Sequence, residues 1–170
     1  QTEIRTLVKH LRAEIPDICI RTTLITGFPG ETTADQSQTM QMVKDLRFDR
    51  LGVFTYSAEE DTPAADMPEQ ISERLKKTRR TRIMKLQQEI AFETAEDMIG
   101  RTVRAVIEGR ITDKDPEDDG DTYVGRTYKD APDIDGYVFI GGVNHELISG
   151  DFVNVKITGS HDYDLIGELE

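Results

Sequence analysis

Cysteine is almost absent from this chain: Cys19 stands alone among 170 residues. One thiol excludes an internal disulfide, a cysteine-based zinc site and an iron–sulfur cluster held by this chain by itself. Long hydrophobic runs are missing too, since none approaches the roughly 18–20 residues that a membrane span requires, and no basic-then-apolar leader opens the chain. The expected location is cytoplasmic, with no membrane partner. Positive charge is also in short supply. Lys and Arg number 21 against 33 Asp and Glu, a net charge of -12, the wrong sign for a general nucleic-acid binder.

What is present suffices for a folded protein. Hydrophobic residues make up 36% and there are 13 glycines, which brings the apolar share to about 44%, close to the ~45–50% of ordinary globular chains. The charge is uneven: residues 101–170 carry 7 basic and 16 acidic side chains, the first hundred 14 and 17. Two segments with different electrostatics predict two domains. The chain begins at Gln1 rather than a methionine, and is expected to be a piece of something longer.

Ile4, Leu7, Val8, Leu11 and Ile15 fall at helical spacing before Pro16, which predicts a short amphipathic helix. The β-branched run from Ile18 through Cys19 and Ile20 to Thr26 reads as a strand buried on both faces of a parallel sheet, with Cys19 as an inert core thiol. It ends in Gly27-Phe28-Pro29-Gly30. Thr32 caps the next helix, with Asp35 as its partner in a capping box. That helix carries an apolar stripe through Met40, Val43, Leu46 and Phe48. A second strand, 51–56, and a polar loop, 57–68, follow. Helical crossovers between parallel strands are the natural reading, but two strands cannot close a sheet or shield both its faces.

Ser72 caps a long third helix whose stripe is Leu75, Ile83, Leu86 and Ile90, stopped by Gly100. Arg74, Lys76, Lys77, Arg79, Arg80, Arg82 and Lys85 crowd its first half. Such a run can contact phosphate or an acidic partner; the preferred reading is a solvated outer face. Beyond Gly100 the period changes to two, with Val103, Ala105 and Ile107 alternating with polar residues, and short β-rich stretches recur at 122–127, 136–140, 151–158 and 165–169. Five such strands in about seventy residues predict a small closed or partly closed barrel, a scaffold that binds oligonucleotides or peptides.

The strand-to-helix turn at Gly27–Thr32 has the outline of a nucleotide site, because glycines admit a ligand close to the backbone and a helix N-terminus attracts anions. No Gly-Lys-Ser/Thr follows, and Glu31 at the helix mouth repels phosphate, so a ligand with adenine and ribose but no phosphate suits it better than ATP or NAD. A tight turn with Thr32 as its cap accounts for the same residues, and from them alone is the preferred account.

A wider string changes the balance. Arg21-Thr-Thr-Leu-Ile-Thr-Gly-Phe-Pro-Gly-Glu-Thr, then Asp49-Arg-Leu-Gly-Val-Phe-Thr-Tyr-Ser and Thr62-Pro-Ala, resembles the late barrel strands of the radical S-adenosylmethionine methylthiotransferases. The similarity continues through Leu86-Gln-Gln-Glu-Ile, Ile99-Gly100, Val124-Gly-Arg-Thr-Tyr-Lys-Asp-Ala-Pro-Asp-Ile-Asp-Gly and Gly150-Asp-Phe-Val-Asn-Val-Lys-Ile-Thr, nearly the whole chain. Arg126-Thr-Tyr to Asp130-Ala-Pro-Asp-Ile-Asp-Gly136 is most similar to the branch that modifies an aspartate of small-subunit ribosomal protein twelve.

This resemblance implies an α/β plus all-β architecture. Residues 1–70 would be the end of a radical S-adenosylmethionine (β/α) TIM-like barrel, 71–100 a connecting basic helix, and 101–170 a five-stranded antiparallel OB-like barrel, the TRAM domain. The parent enzyme would use S-adenosylmethionine and two 4Fe-4S clusters, bound in part by a Cys-x-x-x-Cys-x-x-Cys loop that is not in this chain; the piece itself is expected to bind neither and to be inactive. By the same resemblance Thr23, Ile25, Gly27 and Phe28 border the S-adenosylmethionine site and Phe54 and Tyr56, with Val53, pass near its adenine. Thr23 or Arg21 would meet its ribose or carboxylate, although Arg21 can equally close a salt bridge. The family's usual arginine and glycine before Thr-Pro-Ala are replaced by Ala58 and Asp61, so no catalytic role falls to that loop.

The acidic C-terminal segment attracts a basic ribosomal protein and repels transfer RNA; acidity that merely aids solubility is the competing account. A transfer-RNA methylthiotransferase and a non-enzymatic binding module are the alternatives. Other constellations fail on spacing. Asp115, Glu117, Asp119 and Gly120 imitate a calcium loop, but its twelfth position is Arg126 where a bidentate Glu is needed, and a solvated hairpin turn is the better account. His10, His145 and His161 lack ligand spacing and are expected at the surface. Tyr123, Tyr128, Tyr137 and Phe139 are expected in the core rather than as a base-stacking platform. Strands deprived of neighbours also predict association or swapping between copies.

Overall fold

A computed structural model describes residues 2–111 and 121–170. The proposed calcium-loop mimic and the hairpin turn around Asp115 lie outside the described residues. The chain divides into two compact units, Gln1–Ile90 and Ala91–Glu170.

In the first unit the order is α1 (Thr2–Glu14), β1 (Arg21–Thr26), α2 (Thr33–Leu46), β2 (Arg50–Thr55) and the first turns of α3 (Glu73–Glu96). β1 and β2 pair in parallel, Thr23 opposite Gly52 and Ile25 opposite Phe54. The capping box that begins α2 is complete: the Asp35 amide donates to Thr32 Oγ1 at 3.2 Å and the Thr32 amide to the Asp35 carboxylate at 2.9 Å. Arg47 ends the helix in the left-handed region, its amide bonded to the Val43 carbonyl. Val43, Leu46, Phe48, Leu51, Val53, Ile83 and Ile90 form one buried cluster, so α2 and α3 cover a single face of the sheet.

Three expectations need correction. β1 starts at Arg21, not Ile18, because its ladder begins only where β2 does; the Ile20 amide instead bonds the Asp49 carboxylate at 2.9 Å, and Cys19 is partly exposed rather than a core thiol. β1 is also not buried on both faces, since a two-stranded sheet has nothing to lay over its second side: Ile25 is 64% exposed. α1 is the short amphipathic helix expected, with Val8 buried in the cluster and Ile4 and Leu7 facing solvent; Arg5 bonds Asp45 at 2.7 Å and Arg12 the Arg47 carbonyl at 2.8 Å.

In the second unit β3 (Thr102–Arg110), β4 (Asp121–Thr127), β5 (Val138–Val143), β6 (Phe152–His161) and β7 (Asp164–Leu169) close a barrel in the order β3-β4-β5-β7-β6. The expected alternation holds, with Val103, Ala105 and Ile107 buried beside Tyr123, Val138, Ile140, Val155 and Ile157. One seam differs from an all-antiparallel barrel: β5 and β7 run parallel. An odd ring of strands cannot alternate direction all the way round, so one parallel pair is the condition for closure. Tyr123 is core as expected and its hydroxyl accepts the Leu147 amide at 3.1 Å, but Tyr128 is 54% exposed.

Two close approaches between strands admit only glycine. A Cβ on Gly125 would lie 2.6 Å from the Val106 carbonyl oxygen, and one on Gly167 2.5 Å from Val155 Cγ1 and 2.7 Å from the Lys156 carbonyl oxygen. Gly141 has open space around it. Gly167→Ala is expected to cost about 2–3 kcal/mol and Gly141→Ala less than about 0.5 kcal/mol, compared by urea unfolding of the chain; equal midpoints would contradict the packing described.

Candidate functional site at the strand ends

Pleating puts Arg21, Thr23 and Ile25 on one face of β1, and the parallel register sets Arg50, Gly52 and Phe54 beside them. This is the uncovered face. Ile25 and Phe54 are 64% and 63% exposed, large values for strand side chains. Gly52 leaves a gap in the middle, where an added Cβ would touch Phe54 and Thr23 Oγ1, both at 3.8 Å. Phe28 and Tyr56, from the segments that leave the C-terminal ends of the strands, meet edge to face with centroids 5.2 Å apart. The Tyr56 amide donates to the Thr26 carbonyl at 2.9 Å, extending the pairing by one residue. Thr23, Ile25, Phe28, Phe54 and Tyr56 thus form one apolar shelf at the carboxyl ends of parallel strands, where open α/β sheets receive ligands. Gly27 lies behind the shelf, buried at φ +79° with the Lys76 side chain packed where a Cβ would project.

The turn is locked from within. Glu31 Oε2 accepts the Gly27 amide at 2.7 Å, and Glu31 Oε1 accepts from Arg79 at 2.8 Å and from the Thr26 hydroxyl at 3.2 Å. Arg79 also bonds the Glu31 carbonyl at 3.0 Å. The Gly30 amide donates to Glu69 O and the Glu31 amide to Phe28 O. With the Thr32 amide on Asp35, the Gly27, Gly30, Glu31 and Thr32 amides of the turn already have acceptors, and the Glu31 carboxylate puts negative charge at the helix mouth. The site therefore offers an apolar surface and neutral hydrogen-bonding groups, suited to a purine nucleoside and not to a phosphate.

Lys76 and Arg79 correct the view of the basic run as a solvated face. Both are 4% exposed. Lys76 Nζ bonds the Tyr56 carbonyl at 2.9 Å and Glu73 at 2.7 Å, and lies 5.1 Å from the Tyr56 ring centroid. Arg80 Nε donates to the Val53 carbonyl at 2.8 Å. The signal was present: Lys76, Arg79, Ile83, Gln87 and Ile90 recur at three- and four-residue spacing, so two cations sit on the buried stripe. Tyr56 Oη is buried without a hydrogen-bond partner.

Hydrogen bonds from the Thr32 hydroxyl, then from its amide, hold the Asp35 carboxyl below its ordinary range. Asp45 is held low by Arg5 first and Gln41 second. Both contributions are present above the unfolded carboxylate pKa of about 3.9 and vanish as pH falls through the depressed folded values.

Elsewhere His10, His145 and His161 are exposed, and among the described residues no three His, Cys, Asp or Glu gather as a metal site. Arg104 lies over the exposed Phe152 ring at 4.4 Å, and Arg126 pairs with Glu108 at 2.8 Å.

Arg79→Met strands the Glu31 carboxylate and is expected to cost about 3 kcal/mol, whereas Arg82→Met, on the exposed side of α3, changes stability by less than about 0.5 kcal/mol; denaturant titration of the two variants checks this. Thr32→Ala is expected to raise the Asp35 pKa toward the ordinary range without moving Asp45, as read from carboxyl chemical shifts between pH 2 and 6. An unmoved Asp35 would contradict the capping geometry.

A family model of the TRAM domain matches residues 99–169. Ribosomal protein uS12 methylthiotransferase RimO of Lachnoclostridium phytofermentans is 52% identical over 99% of this chain and 37% of its own length. The proteins of the same name from Citrifermentans bemidjiense and Pelobacter propionicus are 47% and 46% identical over 99% and 100% of this chain, each across 36% of its own length. The chain thus spans a little over a third of the curated relatives it matches. With that identity sustained from end to end, and a TRAM domain as its closed β-barrel, the chain belongs to the RimO methylthiotransferase family.

Proposed function

We propose that this chain is the C-terminal part of a cytoplasmic enzyme that adds a methylthio group to an aspartate of ribosomal protein uS12 by radical S-adenosylmethionine chemistry. The supporting observation is the uncovered apolar face of β1 and β2 at the locked Gly27–Thr32 turn. In a closed (β/α) barrel that face points to the lumen, and further strands would cover what solvent touches here. On this reading residues 1–70 are the last barrel units, 71–100 the connecting helix and 101–170 the TRAM domain.

The residues present suit S-adenosylmethionine. Ile25, Phe54 and Phe28 supply apolar contact for an adenosyl group, Thr23 and the buried Tyr56 hydroxyl supply neutral polar groups, and the spent amides of the turn discriminate against phosphorylated nucleotides. When bound, S-adenosylmethionine supplies the methyl group and the radical initiator. The Arg79–Glu31–Gly27 lock holds the shelf rigid beside the Phe28–Tyr56 aromatic pair. Iron–sulfur clusters do not suit this chain: Cys19 is one thiol where several are required, so the cluster ligands belong to the rest of the longer enzyme.

The substrate reading rests on charge. Residues 91–170 hold 7 basic and 19 acidic side chains while residues 1–90 hold 14 of each, so the entire net charge resides in the barrel unit, where it attracts a basic protein.

In the full-length enzyme, Ile25→Asp and Phe54→Ala are expected to weaken S-adenosylmethionine binding at least tenfold by equilibrium dialysis while cluster absorbance is unchanged. Wild-type enzyme is expected to add the methylthio mass to uS12 and none to transfer RNA. Unchanged binding in both variants overturns the shelf assignment; modified transfer RNA with unmodified uS12 overturns the substrate.

A further inference from the structure

Helix α3 carries two kinds of cation on opposite sides. Lys76 and Arg79 point into the first unit and are neutralised there by Glu73 and Glu31. Arg74, Lys77, Arg82 and Lys85 lie on the other side, all exposed, and among the described residues none of them makes an ion pair or a side-chain hydrogen bond. Carboxylates are not scarce, because residues 1–90 contain as many acids as bases, and Arg5 and Arg12 of the same unit are paired to Asp45 and Asp49.

The sequence accounts for the difference. An exposed helical cation can pair with an acid three or four residues away. Beside these four the places are taken by Thr78 and Thr81, whose hydroxyls donate back to the Arg74 and Lys77 carbonyls at 2.9 Å. Glu73, the acid four residues before Lys77, is claimed by Lys76 at 2.7 Å. Only Glu89, one turn beyond Lys85, interrupts the face. Arg74, Lys77, Thr78, Thr81 and Arg82 line an open groove of about 590 Å³. The cations are strung along roughly 16 Å of helix at 1.5 Å per residue, with about one turn between successive members.

We propose that this stripe is a docking surface for the phosphodiester backbone of RNA. A linear row of charges meets a linear polyanion, and guanidinium groups fork onto phosphate oxygens. The hydroxyls between them are committed to the helix, so the stripe reads charge and spacing, not base sequence. The acidic excess of residues 91–170 does not forbid this, since repulsion between solvent-exposed charges is screened over about 8 Å at physiological ionic strength. The inference is independent of which molecule is methylthiolated.

The test uses the 170-residue chain and a fluorescent 20-nucleotide polyuridylate, followed by anisotropy between 50 and 200 mM salt. Four contacts to a single strand give a log–log salt slope of about -3, a loss of roughly fiftyfold across that range. The variant Arg74→Gln/Lys77→Gln/Arg82→Gln/Lys85→Gln, shown by circular dichroism to be folded, is expected to bind at least tenfold more weakly with a slope near zero. Lys9→Gln/Lys44→Gln/Arg101→Gln/Lys156→Gln, with the same loss of charge elsewhere, is expected to bind as the wild type does. No binding at 50 mM salt, equal loss in both variants, or displacement of the oligonucleotide by polyglutamate as readily as by unlabelled polyuridylate would each overturn the proposal, the last by making the stripe a site for acidic protein.

Discussion

The first unit depends on one half-buried contact, the Glu31 carboxylate held between the Gly27 amide and the Arg79 guanidinium. A carboxylate with little solvent costs several kcal/mol unless it is paired and hydrogen-bonded, and here it is both. The contact fixes three things together. It sets the turn that leaves β1, it anchors α3 across the strand ends, and it consumes the amide that a phosphate would otherwise seek. The apolar shelf above it inherits its rigidity, because Phe28 follows Gly27 directly and Tyr56 is tied to α3 through Lys76.

The shelf and the barrel solve the problem of sheet edges and faces in opposite ways. In the barrel unit five strands close on themselves and bury one face completely, at the price of a parallel seam between β5 and β7. In the first unit two strands bury one face under helices and leave the other to solvent. An exposed patch containing Ile25 and Phe54 is unfavourable in isolation and marks a surface meant to be covered. The chain spans little more than a third of its relatives' length.

Much of this was legible residue by residue. The capping box of Thr32 and Asp35 and the alternation of Val103, Ala105 and Ile107 are local patterns, set by hydrogen bonding within a turn and by side-chain period, and they appear in the structure as read. The motif string from Arg21 to Thr32 identified the right family for the same reason, since a motif is local by nature. Among the candidate residues, parallel register sets Thr23 and Ile25 beside Gly52 and Phe54, and Phe28 meets Tyr56 just past the strand ends, with Gly27 behind them. Less local expectations fared worse. Both faces of β1 were read as buried, yet burial depends on what lies opposite, and in the first unit Ile25 is left 64% exposed.

The sequence by itself therefore determined the elements, the family and the charge asymmetry, because each follows from neighbours along the chain or from simple counting. Only the tertiary structure decided which cations of α3 are buried partners and which are exposed. Lys76 and Lys77 are adjacent and chemically identical, and what separates them is a rotation of about 100° around a helix whose buried side is known only once it has packed.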